Sequence, residues 1–291
     1  MQPDLTDQLL ELVRLAATDL PEDVERALRE ARGQEEEGSA AQGALDTILR
    51  NVEMARANST PICQDTGTPI FYVYHPADWS TRVLREQIIE AVVQATRRSY
   101  LRPNAVNAVS GENTGDNTGG DHYPSLHFHE VDGEGLHVDL MLKGGGCENV
   151  SAQYKLPDTA LGAGRDLDGV RKAALDTVYQ AQGKGCAPGA LGIAVGGDRG
   201  SSFVASKEAL YRRLDDQNPQ AELAALEEQI TEQANQLDIG PMGFGGKTTV
   251  LGTKITGLHR LPASYFVSVS YMCWAYRRRR MTYQAGEVEY S

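Results

Sequence analysis

The sequence has no long hydrophobic run and no leader-like start. No segment of its 291 residues approaches the roughly 20 consecutive apolar residues that cross a bilayer. The first seven residues carry an early acid, Asp4, and lack the basic stretch that precedes the apolar part of a secretory signal. We therefore expect a cytoplasmic protein without membrane contact.

Cysteine is scarce, with four residues in the chain: Cys63, Cys147, Cys186 and Cys273. Thiols stay reduced in the cytoplasm, so these four are not expected to form a disulfide framework. No two of them have the short Cys-x-x-Cys spacing of a zinc or redox motif. Buried thiols, reactive thiols and metal ligands all remain open, and spacing alone does not choose among them.

Basic charge is also in deficit, since 28 Lys and Arg face 40 Asp and Glu, for a net charge of −12. Nucleic-acid binding depends largely on phosphate neutralisation by basic side chains, so this balance excludes a general nucleic-acid binder. One basic run occurs at residues 277–280. A solvated strand end or subunit contact is the favoured interpretation, and an anion-attracting rim is the alternative.

The hydrophobic patterns predict a mixed α/β fold, with β-sheets flanked by helices and a helical N-terminal third. Apolar residues at helical spacing predict helices near residues 5–16, 21–28 and 45–58, and another opening at Ser80 or Thr81. Alternating residues at 125–131 and 136–142 predict a hairpin that turns at Asp132-Gly133. Further helices are expected at 168–182 and 218–235, and strands at 190–195, 248–255 and 265–275. Because no repeat or linker is visible, we expect one domain over residues 1–291.

Three glycine-rich loops follow apolar elements, at residues 143–146, 196–200 and 243–248. Glycine lets backbone N–H groups approach an anion, but tight turns explain each loop equally well. The last loop is not a P-loop, because that motif needs glycine five positions before Gly246, where Pro241 stands.

Two further features admit more than one interpretation. Asp65 is flanked by Gln64 and Gly67, and it either forms a turn or supplies a polar group beside the Cys63 thiol. His127 and His129 alternate on one predicted strand and share a face, which would suit zinc only if further ligands joined them.

The segment Cys63-Gln64-Asp65-Thr66-Gly67 resembles the entry motif of class I fumarases and L-tartrate dehydratases. The likeness covers nearly the whole chain, in order. Its other motifs lie at residues 101–105, 113–115, 143–146, 185–188, 240–243 and 273–275.

This resemblance implies a [4Fe–4S] cluster held by the three matching cysteines, Cys63, Cys186 and Cys273. Cys147 lies where relatives often carry Ser, so it is not expected to be a ligand. Three protein ligands would leave one iron open as a Lewis acid. The resemblance further assigns substrate binding to Gln64, Asp65, Arg102 and the backbone around Gly145.

The implied function is that of the α subunit of a hydro-lyase interconverting fumarate and L-malate, a reaction of the tricarboxylic acid cycle. An L-tartrate dehydratase α subunit is the close alternative, and a non-catalytic iron–sulfur or zinc-binding protein is a more distant one. One-chain relatives continue with a C-terminal domain that this sequence lacks. We therefore expect a β subunit, an α2β2 assembly and a catalytic base on the β subunit.

One position departs from the family pattern. Relatives often carry His directly after the arginine that matches Arg260, and here Leu261 stands there. His259 could replace it from two positions earlier, so the assignment of proton handling stays open.

Overall fold

The computed structural model describes residues 2–291, which form eight α-helices and nine β-strands. The helices are α1 (Thr6–Thr18), α2 (Glu22–Gln34), α3 (Ala40–Asn58), α4 (Thr81–Arg97), α5 (Gly145–Asn149), α6 (Leu167–Ala181), α7 (Arg199–Ala209) and α8 (Ala221–Asn235). The strands are β1 (Thr68–Pro76), β2 (Ser125–Val131), β3 (Leu136–Lys143), β4 (Ala152–Lys155), β5 (Gly189–Val195), β6 (Val250–Gly257), β7 (Phe266–Met272), β8 (Arg278–Gln284) and β9 (Glu287–Tyr290). The predicted mixed α/β class with a helical N-terminal region is confirmed. Among residues 2–291, no helix is both long and apolar enough to cross a membrane.

Helix starts follow the capping chemistry expected from sequence. Ser80 is the N-cap of α4, and its hydroxyl accepts a hydrogen bond from the Val83 N–H. Asp166 caps α6.

The chain divides into two compact units, one formed by residues 2–21, 50–145 and 277–291 and the other by residues 22–49 and 146–276. In the first unit, a five-stranded sheet has the order β2-β1-β3-β8-β9. Side chains of α1 and α4 form one buried core with the sheet, including Leu12, Ile88, Phe71 and Leu140.

The predicted hairpin of residues 125–131 and 136–142 is wrong. Both segments are strands, but β1 lies between them and pairs with β2 in parallel and with β3 antiparallel. The apolar run Ile70–Val73 is buried on both faces, as suits a central strand. This missed strand satisfies the main-chain groups that the hairpin would have paired.

The second unit contains a four-stranded sheet of order β4-β7-β5-β6. Its core joins α6 and α8 to this sheet through residues such as Val170, Ile230 and Ile193. Strand β5 is buried over nearly its whole length, which explains why its sequence is continuously apolar. Cys273 was predicted to lie within the last of these strands, but β7 ends at Met272 and Cys273 follows it.

The basic run at 277–280 is not a solvated strand end. Arg277 and Arg278 are buried at 1% and 7% exposure. Arg279 pairs with Asp19, and Arg280 pairs with Asp139 across β3 and β8. Because Asp19 and Asp139 are distant from the run in sequence, the residues next to it gave no indication of these ion pairs.

Candidate functional site

Asp65 joins the Cys63–Gly67 segment to the triple-glycine loop within the first unit. Its Oδ2 accepts a hydrogen bond from Gly145 N at 2.8 Å, and its Oδ1 accepts one from Gly67 N at 2.9 Å. The second bond is the local turn expected of Asp, and the first spans 80 residues. The structure thus brings together two residues, Asp65 and Gly145, that the sequence assigned to one site.

Gly67 allows the Cys63–Gly67 segment to lie close to the main chain at the end of β3. Its φ is +78°, and an added Cβ would lie 2.8–2.9 Å from main-chain atoms of Leu142 and Lys143. Glycine is required here both for the left-handed backbone and for the space. The end of β3 is therefore fixed against the segment that carries Asp65.

Arg102 also reaches this segment. Its Nη1 donates to the carbonyl oxygen of Gln64 at 3.1 Å, and its main-chain N–H donates to Thr66 Oγ1 at 3.1 Å. The side chains of Arg102 and Gln64 are exposed, whereas Thr66 is buried. The adjacent Gln64 and Asp65 thus bring together the four residues that the sequence assigned to substrate, because Gln64 binds Arg102 and Asp65 binds Gly145 within one unit.

Two asparagines support Arg102, and sequence reasoning gave them no role. Asn104 Nδ2 donates to Thr66 Oγ1 at 2.9 Å. The buried Asn117 accepts from Asn104 N at 2.7 Å and donates to the Arg102 carbonyl at 2.5 Å. Asn104 lies in the 101–105 motif and Asn117 two residues beyond the 113–115 motif, but only the fold shows that their amides hold the Arg102 loop.

Tyr123 is a further residue near this group that the sequence did not indicate. Burial raises the pKa of Tyr123 and the nearby Asp65 charge acts in the same direction, while a hydrogen bond with Thr68 opposes them. The phenol therefore stays protonated near neutral pH and is available as a hydrogen-bond donor.

Cys63 lies in the first unit, between α3 and β1, on a backbone held from both sides. The neighbouring Ile62 donates its N–H to Ala17 O at 3.0 Å, and its carbonyl accepts from Asn51 Nδ2 at 2.8 Å. The Cys63 side chain is partly exposed. Its thiol is thus presented from an ordered loop.

The other three cysteines lie in the second unit, around Tyr271. Burial is the main cause that raises the pKa of Tyr271 far above its ordinary value, and charge on Cys273, Cys147 and Cys186 acts in the same direction. The main chains of Cys186 and Cys273 are linked, since Trp274 N donates to Cys186 O at 3.2 Å. None of the four cysteines forms a disulfide.

Glycines fit the Cys186 loop closely around the Tyr271 ring. An added Cβ would lie 2.6 Å from the ring at Gly185 and 2.5 Å from it at Gly189. Cys186 itself has φ 51° and ψ 58°, a left-handed conformation that a non-glycine residue adopts at a cost of about 1–2 kcal/mol. Such strain is concentrated at functional sites, which makes this thiol a candidate ligand.

The chemistry of these donors fits an iron–sulfur cluster, which proteins hold by Cys thiolates. Cys63, Cys186 and Cys273 are partly exposed, whereas Cys147 is buried. Within residues 2–291, no three His, Cys, Asp or Glu side chains form a group that could hold a metal ion. The assignment of Cys63, Cys186 and Cys273 as cluster ligands therefore stays a prediction.

The other two glycine-rich loops, like the one bound by Asp65, donate main-chain N–H groups to carboxylates of the same chain. Glu35, buried within the second unit, accepts hydrogen bonds from Lys247 N and Thr248 N at 2.9–3.0 Å. Asp198 accepts from Gly200 N and Ser201 N. These bonds support the turn interpretation over anion binding at both loops.

The predicted histidine pair shares one face of β2, and both rings stack on tyrosines. His127 lies over Tyr72 with ring centroids 4.5 Å apart, and His129 lies over Tyr74 at 4.9 Å. His259 and Leu261 are both exposed, and Arg260 donates to nearby carbonyl groups, including that of Ser264.

Comparison with known proteins gives one family. The sequence profile described as fumarate hydratase (Fumerase) matches residues 6–282. A Geobacillus stearothermophilus protein with the provisional name fumarate hydratase class I is 48% identical over 94% of this chain, which spans about half (54%) of that relative's length.

Two relatives of similar length carry another name. A Methanocaldococcus jannaschii protein, provisionally named L(+)-tartrate dehydratase subunit alpha, is 34% identical over 94% of this chain and 95% of its own. The Escherichia coli K12 protein named L(+)-tartrate dehydratase subunit alpha is 29% identical over 94% of this chain and 89% of its own. With the expected motifs present and the profile matched over almost its whole length, the chain belongs to the fumarate hydratase (Fumerase) family.

Proposed function

We propose that this chain is the iron–sulfur α subunit of a class I hydro-lyase that interconverts fumarate and L-malate. The observation that carries the proposal is that the adjacent residues Gln64 and Asp65 bind Arg102 and Gly145, respectively, within the first unit. The relative named fumarate hydratase class I, 48% identical, supports fumarate as the substrate.

The exposed Arg102 is proposed to bind a substrate carboxylate. A guanidinium carries five N–H donors, and the bond to the Gln64 carbonyl uses one of them. Its planar fork matches the geometry of a carboxylate, which a lysine ammonium does not. The Gln64 amide is exposed beside it and offers a neutral donor.

Asp65 and Gly145 then act mainly by holding the neighbouring main chain in position. The Gly145 N–H is already donated to Asp65, so this bond sets the path of the triple-glycine loop beside Gln64. Asp65 also fixes Gly67 and thereby the residues that lead from Cys63 into β1. The role proposed for the Asp65 carboxylate is to hold these two segments of main chain in place.

The cofactor is proposed to be a [4Fe–4S] cluster with Cys63, Cys186 and Cys273 as ligands. The partly exposed thiols and the strained backbone of Cys186 support this assignment. When bound, such a cluster supplies one iron without a protein ligand, which acts as a Lewis acid toward hydroxyl and carboxylate oxygens. Reduced thiols suit a cytoplasmic enzyme, and the reaction belongs to the tricarboxylic acid cycle.

A β subunit is proposed as the partner, in an α2β2 assembly, and it is expected to supply the catalytic base. Relatives of matching length carry the name subunit alpha, which supports such a partner. The proposal predicts that the chain alone shows no hydration of fumarate and that the complex does.

The test is a steady-state assay of the reconstituted complex with Arg102→Lys. We expect the KM for fumarate to rise more than about tenfold, because a single point charge replaces the planar fork. Arg98→Lys is the matched control, since Arg98 is an exposed arginine outside the group. Equal KM values for both variants and the wild type would contradict the role of Arg102.

L-tartrate dehydration is the second candidate, and the two relatives named subunit alpha favour it. Both substrates are dicarboxylates, so Arg102 would serve either. The ratio of kcat/KM for L-malate and L-tartrate on the same preparation decides between them. Binding of neither dicarboxylate would favour the third alternative, a non-catalytic iron–sulfur or zinc-binding protein.

A further inference from the structure

The sulfur of Cys147 lies against the main chain of Cys273. Within the second unit, Cys273 N donates a hydrogen bond to Cys147 Sγ at 3.2 Å. Cys147 is 3% exposed and belongs to the short helix α5, which begins at the second residue of the triple-glycine segment. A buried cysteine thus contacts the backbone of a proposed cluster ligand.

The same segment holds the end of β7 at a second point. Ser151 Oγ donates to Cys147 O at 2.7 Å and accepts from Tyr271 N at 3.0 Å. Tyr271 and Cys273 are therefore both bound through their main-chain N–H groups, one by Ser151 and one by Cys147. These two bonds fix the direction in which the chain leaves β7.

The residue that follows Cys273 is bound to the Cys186 loop. Trp274 N donates to Cys186 O at 3.2 Å, directly after Cys273. The peptide groups on either side of Cys273 are thus both anchored, to Cys147 and to Cys186. The Cys273 thiol can turn about its own side-chain bond, but its Cα has little freedom.

We propose that Cys147 is a positioning residue for Cys273: its sulfur accepts the Cys273 N–H and so holds that thiol in place for the cluster. The inference rests on the proposed iron–sulfur function. It assigns Cys147 no bond to iron, and it gives this fourth cysteine a role that the ligand set leaves unexplained.

Cys147→Ser and Cys147→Ala form a matched pair for the test. Both remove about the same volume from a buried position, but only serine keeps a hydrogen-bond acceptor. If the sulfur acts only by packing, as buried cysteines often do, the two variants behave alike. If it acts as an acceptor, serine rescues the function that alanine loses.

The first measurement is iron release to a chelator from the anaerobically reconstituted complex. We expect Cys147→Ala to release iron about two- to fivefold faster than wild type, the lower part of the range for one hydrogen bond, because a thiol sulfur is a weak acceptor. Cys147→Ser should stay within about twofold of wild type. Equal rates for serine and alanine variants would overturn the inference.

A second measurement needs no cluster. In the cluster-free complex, alkylation of Cys273 relative to Cys63 is followed by mass spectrometry. We expect a faster relative rate in Cys147→Ala and an unchanged one in Cys147→Ser, and equal rates in both would again contradict the positioning role. If the wild type takes up no iron, the proposed function fails, whereas a loaded wild type with indistinguishable variants refutes this inference alone.

Discussion

Replacing Asp65 tests the hydrogen bonds that organise the candidate site. Its carboxylate accepts one bond from Gly145 N at 2.8 Å and another from Gly67 N at 2.9 Å. A hydrogen bond to a charged group contributes about 1.5–3 kcal/mol, and the partial exposure of Asp65 favours the lower value. The pair is therefore expected to contribute about 3 kcal/mol to the stability of the first unit.

Asn and Ala should differ in a defined way. Asp65→Asn keeps one neutral carbonyl acceptor, so about 1 kcal/mol of the hydrogen-bond contribution is retained. Its side-chain NH2 group faces the second main-chain N–H and cannot accept a bond from it. We expect the free energy of unfolding to fall by about 2 kcal/mol in Asp65→Asn and by about 3 kcal/mol in Asp65→Ala. Urea unfolding of the full chain measures both values, and the KM for fumarate of the complex should rise in both variants.

Asp158→Asn is the control for this prediction. Asp158 accepts bonds from Ala160 N and Leu161 N, so it forms a similar local turn in the second unit. By the same reasoning we expect it to lose about 2 kcal/mol of stability, but without a change in the KM for fumarate. An Asp65→Asn protein with the stability and KM of the wild type would refute the reasoning.

Three further predictions concern single side chains, each measured by urea unfolding of the full chain. Gly67→Ala should lose about 3 kcal/mol, because its Cβ would combine left-handed strain with a backbone clash, whereas Gly43→Ala, with nothing within 4 Å, should not. Glu35→Gln should lose about 2 kcal/mol by weakening its bonds to Lys247 N and Thr248 N, whereas the exposed Glu36→Gln should lose almost nothing. Burial and the Arg280 charge lower the pKa of His137 below its ordinary value of 6.5, despite the Asp139 charge. As the pH falls, this histidine therefore becomes protonated in the unfolded chain at a higher pH than in the folded chain. Stability should therefore decrease as pH drops below about 6.5, and His137→Gln should reduce that decrease; an equal decrease in the variant would contradict the assignment.

The sequence predicted most of the helices because their apolar spacing is local. It predicted the strands less well, because pairing depends on residues far apart in the chain. Residues 125–131 and 136–142 were recognised as strands, but the inserted β1 was missed and the hairpin was wrong. The buried Arg277 and Arg278 looked exposed from sequence, because burial depends on the fold.

The candidate site shows the same division. Resemblance selected Gln64, Asp65, Arg102 and Gly145, and the structure binds Arg102 to Gln64 and Gly145 to the adjacent Asp65. The supporting residues Asn117 and Tyr123 were not assigned, because their roles depend on contacts with residues distant in sequence. The three proposed cluster ligands stay a prediction from resemblance.

The most direct test of the central claim is the fumarate hydration rate of the complex with its β-type partner, measured with Cys186→Ala alongside the wild type. After anaerobic reconstitution, the wild type should contain about four irons per α chain and hydrate fumarate. The Cys186→Ala complex should lose both the iron and the activity. A Cys186→Ala complex that kept a full complement of iron and the wild-type rate would contradict the account.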